Sequence, residues 1–224
     1  MKLLYLTDCL VYNNMNYNDY KEKYYDMKKT VCAILAAAAI GLTLVSCNDK
    51  TEDGYKKIES ATCEFSYEYP EDWVNIYSEG ILAIEKLNDP GNATIVGHSF
   101  ERDAEELSEL NEKHAGEDYT AANYWEDHYF PMISGTYGEA NIVQTSLESV
   151  DYKDTKQAYA TYTKTIGEDV YNCQAILILA QDRVFTLTLT QQIQNKDGEI
   201  KVSDYKDVLM KCLESFEIKR GLIF

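Results

Sequence analysis

Residues 140–191 hold four consecutive runs, at 140–150, 156–166, 170–180 and 183–191, each rich in β-branched and aromatic residues and each alternating in polarity. That pattern marks strands with one face turned to a core. The joints between the last three are very short, Gly167-Glu168-Asp169 and Gln181-Asp182. Parallel neighbours need a dozen or more connecting residues, so these strands must lie antiparallel in hairpins. A four-strand meander of this kind restricts the chain to folds built on an antiparallel sheet.

The residues around the meander extend it. Residues 63–69 alternate strictly, with Phe65, Tyr67 and Tyr69 on one face and Glu64, Ser66 and Glu68 on the other, and Pro70-Glu71-Asp72-Trp73 ends the run with a turn. Residues 81–87 and 93–100 are two more strands, joined as a hairpin by Asn88-Asp89-Pro90-Gly91-Asn92. Between this hairpin and the meander the period becomes helical. Asp103 with Glu106 has the spacing of a capping box, and a second helix starts near Thr120, with Ala121, Trp125, His128, Tyr129 and Met132 at helical intervals. Gly135 and Gly138 close it, and Pro131 should kink or end it about one turn early. A last helix is capped by Ser203, with Tyr205, Val208, Leu209, Cys212, Leu213 and Phe216 on one stripe and Lys206, Asp207, Lys211 and Glu214 facing away. The expected class is α+β: an antiparallel sheet of about six to seven strands flanked by helices, over residues 59–220.

Several segments of this domain resemble the PsbP-like (Mog1/PsbP) fold. They are Phe65-Ser66-Tyr67-Glu68-Tyr69-Pro70-Glu71-Asp72-Trp73, the stretch Arg183-Val184-Phe185-Thr186-Leu187-Thr188, and Leu213-Glu214-Ser215-Phe216. The resemblance implies a sheet with helices on both sides. It implies no activity, because members of that family serve unrelated roles.

The first 58 residues have a different character. Residues 1–26 are crowded with Tyr and Asn and follow no period, so they read as a mis-assigned upstream extension, with Met27 as the true start. Residues 27–46 have the order of an export signal: Lys28 and Lys29, then an apolar run over 31–45. At roughly fifteen residues that run is shorter than the ~20 a membrane-spanning helix needs. It ends in Leu44-Val45-Ser46-Cys47, which resembles the lipobox of bacterial lipoproteins. The resemblance implies cleavage before Cys47 and lipid on its thiol. One acyl chain holds a protein marginally and two or three hold it stably, so this lipid would be the protein's membrane partner. Residues 47–58 read as a polar tether. The expected location is the cell membrane or outer membrane, lipid-anchored and extracytoplasmic.

Charge excludes one class of partner. The chain carries 21 basic and 38 acidic residues. Five of the bases and four of the acids precede Cys47, which leaves 16 basic against 34 acidic residues behind it. A body this acidic repels phosphate backbones, so no nucleic acid is expected as a partner.

The motifs of catalysis and cofactor binding do not occur. There is no GxSxG, GxxxxGK[ST] or GxGxxG, and no histidine has a cysteine partner at a telling spacing. His98 falls in a strand, His114 at a helix end and His128 on an apolar stripe, where a core histidine is the simplest role. A metal site joining them to Glu117 or Asp118 is the competing reading. Beyond Cys47 the cysteines are Cys63, Cys173 and Cys212, an odd number with no CxxC; Cys173 and Cys212 read as small core residues. The sequence therefore assigns one functional residue, Cys47, with no catalytic group, metal or cofactor. Its best reading is a non-enzymatic binding or accessory module acting on another envelope protein. Small-ligand or divalent-cation binding is the alternative, and a hydrolase comes third.

Overall fold

The computed structural model describes residues 54–60, 62–78, 80–101, 119–180 and 183–219. The readings made for the extension, the signal, Cys47 and the helix at Asp103 lie outside these residues. The described chain begins with strands β1 (Tyr55–Glu59), β2 (Phe65–Pro70), β3 (Val74–Ser78), β4 (Ile81–Glu85) and β5 (Thr94–Glu101). A helical stretch follows: α1 (Ala121–Tyr124), a π-helical segment (Trp125–Tyr129) and α2 (Phe130–Tyr137). Then come β6 (Ile142–Tyr152), β7 (Thr155–Ile166), β8 (Asp169–Leu179), β9 (Arg183–Asn195), β10 (Gly198–Glu199), α3 (Lys206–Glu214) and β11 (Glu217–Ile218).

The expected α+β class holds. The meander is β6 to β9, antiparallel throughout, and the hairpin turned by residues 88–92 is β4 to β5. Strand β5 then pairs with β9, which closes one large sheet in the order β3-β4-β5-β9-β8-β7-β6, with β10 on the end of β9. This sheet has eight strands where six to seven were expected. The chain's first and last strands form a separate three-stranded sheet, β1-β2-β11. Strand β1 starts within the stretch read as tether. It shows no apolar alternation, since Ile58 is its one buried residue, and its place is set by its ladder with β2.

Residue pairing carries one row straight across the large sheet: Val74, Glu85, Thr94, Thr190, Cys173, Tyr162 and Gln144 lie side by side. Along the central strands β4, β8 and β9 the side chains alternate between two faces that are both largely covered, whereas edge strand β6 is exposed over much of its length. On the first face Leu82, Ile84, Ile95, Tyr159, Ile176, Ile178, Phe185, Leu187 and Leu189 meet Phe65, Tyr67 and Tyr69 of β2 and Leu209, Cys212, Leu213 and Phe216. The small sheet and α3 thus cover this face together, where helices alone were expected. Phe65 stacks on Phe216 at 5.3 Å and meets Phe185 edge-on at 5.8 Å, while the Tyr67 hydroxyl donates to the Leu82 carbonyl at 2.8 Å. Arg183 adds an ion pair to Glu64 at 2.6 Å, joining the two sheets at their rim. Fully burying each large apolar side chain here contributes on the order of 1.5–3 kcal/mol.

The opposite face is lined by small residues, Ala83, Ala158, Ala160 and Ala175, which let a helical layer approach closely. Thr120 starts this layer with the capping box reciprocated by Asn123. Pro131 does not end it. Proline has no N–H to donate, and its ring crowds the carbonyl four residues back. The chain widens to a π turn instead, in which the Phe130 N–H reaches the Trp125 carbonyl, and the helix continues to Gly138 at φ 84°. The start of α3 also departs from expectation. The Ser203 side chain does not cap it; Asp204 accepts from the Lys206 N–H at 2.9 Å, and the Ser203 carbonyl is held by Gln191 Nε2 at 2.9 Å.

Candidate functional site

Three groups of side chains hold the chemistry of the described domain: the aromatic layer over the small-residue face, the three thiols, and a buried carboxylate in the β4–β5 turn. Cys47 lies outside the described residues, as do His114, Glu117 and Asp118.

Trp125 anchors the aromatic layer. It is fully buried, donates from Nε1 to Gln144 Oε1 at 2.6 Å, and packs its ring on Tyr129 and Tyr162 at 5.1 and 6.0 Å. Tyr129 stacks in turn on Phe100 at 6.0 Å, and Phe100 on His98 at 6.0 Å. His128 leans on Tyr124 at 5.1 Å. Both described histidines are half-buried within this layer. Their place fits the core role, though each keeps an exposed edge. Among the described residues, no group of three His, Cys, Asp or Glu side chains gathers where a metal ion would be held.

Burial lowers the pKa of both His98 and His128, because desolvation penalises the charged ring. The unfolded chain then binds protons more readily than the folded one as pH falls through the ordinary imidazole value of about 6.5. The contribution of these histidines to stability is complete above that pH and is lost as pH drops toward the lowered folded values. We expect the urea midpoint to fall from about pH 7.5 to about pH 5.5, and His98→Gln to flatten that slope.

Cys63, Cys173 and Cys212 are free and buried. Cys63 and Cys212 belong to the core under the small sheet. Cys173, paired with Tyr162 and Thr190, points to the other face, which rules out a disulfide between it and either of the others. Burial raises all three thiols, Cys212 to about 12. Thiolate is the reactive form, so alkylation of the folded domain at about pH 8 should be slow at all three and fast in denaturant. Rapid native labelling, read by intact mass, would contradict this arrangement.

The third group was missed in the sequence. Asp89 is 8% exposed, inside a turn recognised only as a turn. Its Oδ1 accepts from the Gly91 and Ala93 amides at 2.9 and 3.2 Å, and its Oδ2 accepts from the Tyr205 hydroxyl at 2.8 Å. Tyr205 in turn meets the buried Trp73 edge-on at 5.1 Å. The carboxylate therefore fastens the β4–β5 turn to the start of α3. The signal available was Asp within Asn-Asp-Pro-Gly-Asn; its partner lies 116 residues further on.

Among the described residues, no helix is long and apolar enough to cross a membrane. No family model and no curated protein matches the chain. Among solved structures, the chain is similar to a protein of Bacteroides thetaiotaomicron, with 16% identity and a TM-score of 0.41 over 74% of this chain and 48% of that one. The chain thus spans about half the length of that relative. It is also similar to LpqN of Mycobacterium tuberculosis, a protein involved in cell envelope biogenesis. There the identity is 14% and the TM-score 0.34, over 84% of this chain and 96% of the other. Neither likeness is close enough to carry an argument about what this chain does.

Proposed function

We propose that the chain is a bacterial lipoprotein whose mature form begins at an acylated Cys47 and whose α+β domain, PsbP-like in its sequence segments, serves as a non-enzymatic accessory module outside the cytoplasm. The observation that carries this reading is an order of sequence: Lys28 and Lys29, the apolar run, Leu44-Val45-Ser46-Cys47, and then a folded domain whose first strand starts at Tyr55. Each part has a use in that order. The lysines hold the cytoplasmic side, the run enters the membrane without spanning it stably, and the cysteine supplies the thiol that takes the lipid. The acidity of the body and the missing nucleophile and phosphate motifs favour a binding role, with another envelope protein as partner.

Cys47→Ser tests the anchor. In a bacterial host the variant should leave the membrane fraction, and its N-terminal peptide should lose the mass of the lipid. Unchanged membrane retention with no lipid on the unsubstituted protein would overturn the reading. Crosslinking of the anchored protein in intact envelopes tests the partner; recovery of monomer alone would remove the accessory role.

A further inference from the structure

We propose that the domain sits on the bilayer by one particular end, the end of the large sheet marked by Val74 and Gln144, and that the surface it meets is neutral, zwitterionic lipid. This rests on the lipoprotein reading above and adds an orientation to it.

The large apolar side chains exposed among the described residues are Val74, Leu87, Val143 and Ile166, at 37%, 48%, 60% and 36%. They come from β3, the β4–β5 turn, β6 and the end of β7, which are far apart in sequence. Pairing brings them to one end. Val74 lies in the row that crosses the sheet to Gln144. Leu87 lies two residues beyond Glu85 of that row, Val143 one beyond Gln144 and Ile166 four beyond Tyr162, all on the same side. The opposite end, with the β3–β4 turn at Gly80 and the β6–β7 turn at Lys153-Asp154, carries none of the four.

The chain enters the domain at the end that carries them. The Gly54 carbonyl accepts from the Glu71 amide at 2.9 Å, Tyr55 pairs with Pro70, and the Trp73 amide donates back to the Pro70 carbonyl at 3.0 Å, one residue before Val74. Cys47 is seven residues upstream of Gly54 in sequence. Seven residues reach about 25 Å at full extension and about 15 Å as a flexible chain. Lipid on Cys47 thereby holds this end against the bilayer at high effective concentration, so a contact too weak for a free protein suffices. The exposed side chains need enter no deeper than the boundary of headgroups and acyl chains. Charge selects the lipid. Glu71, Asp72, Glu168 and Asp197 share this end with Lys86 and Lys196, on a strongly acidic body, so anionic headgroups repel it.

The test uses the processed, acylated protein in vesicles of phosphatidylcholine and phosphatidylethanolamine, a portion of them carrying brominated acyl chains. A fluorophore is placed on Leu87→Cys, on Val143→Cys, or at the far end on Asp154→Cys; the native thiols at 63, 173 and 212 are buried and do not compete. Quenching by the brominated chains should be at least about twofold stronger at 87 and 143 than at 154. Equal quenching, or stronger quenching at 154, overturns the proposal. Shielding at 87 and 143 that appears only on crowded vesicles identifies a second copy as the occupant and also overturns it. Flotation and the mass of the N-terminal peptide are read on the same samples. Protein that floats with its lipid but shows unquenched labels at 87 and 143 removes the orientation alone, whereas protein without lipid removes the anchor and the orientation together.

Discussion

Phe65→Ala should cost about 3–5 kcal/mol of unfolding free energy, the range seen when a large buried aromatic is truncated and the site cannot collapse. The ring is fully buried between Phe216 and Phe185, so its removal leaves a cavity bounded by both sheets and α3. A second substitution makes the result specific. Gly97 of β5 sits beneath the ring, and a Cβ there would lie 2.7 Å from Phe65 Cε2 and 3.0 Å from Tyr67 Cε1. Glycine is required at this point of the strand because two aromatic rings occupy the space a side chain would take. Gly97→Ala alone should cost about 1–3 kcal/mol through overpacking. In the Phe65→Ala background most of that penalty should vanish, since the nearer ring is gone. Urea unfolding of the two single variants and the double completes the cycle. Simple addition of the two losses would show that the rings do not pack as described.

Asp89→Ala should cost about 2–4 kcal/mol, although Asp89 belongs to a turn. The substitution strips the acceptor from two backbone amides and from the Tyr205 hydroxyl at once. A hydrogen bond to a charged acceptor contributes about 1.5–3 kcal/mol net, and the loss stays below the sum of three because the freed donors of a surface turn can relax toward water. Tyr205→Phe removes one of the three and keeps the ring against Trp73, so it should cost about 1 kcal/mol. If the two variants unfold at the same denaturant concentration, the amide contacts inside the turn contribute nothing and the carboxylate is no more than a partner for the tyrosine.

The parts of this fold that are legible in the sequence are the runs rich in β-branched and aromatic residues that are joined by short turns. Strands β6 to β9 and the β4–β5 hairpin alternate because neighbouring residues meet different surroundings, and tight turns fix which strands are adjacent. The start of the second helix is legible because Ala121, Trp125, His128 and Tyr129 take up helical spacing there, while the pairing of Thr120 with Asn123 is visible only in the structure. What escapes is whatever depends on a distant partner. Strand β1 is polar on its surface and exists because β2 offers it a ladder. Strand β3, five residues long, follows a turn so closely that it is easily absorbed into it. Asp89 is read as a turn residue because Tyr205 is too remote to suggest itself. Pro131 is read as a kink or a stop because proline's cost is local, whereas the π turn that accommodates it is supported by the packing of Trp125 beneath. The reading of Cys47 is the reverse case: it rests wholly on the residues just before it, and the residue lies outside those the structure describes.

The pairing of β11 with β2 has a consequence for how the protein comes into being. Strand β2 is finished by residues 217 and 218, and the Lys219 amide donates to the Glu64 carbonyl at 2.7 Å, so the start of the domain is completed by its last residues. A chain that emerges beginning with its N-terminus must carry Phe65 and Tyr67 uncovered until some 150 later residues have followed, because contacts this distant in sequence form late and at high entropic cost. During that interval the uncovered aromatic face of the nascent domain is prone to aggregation, and a protein that holds unfolded chains would protect it.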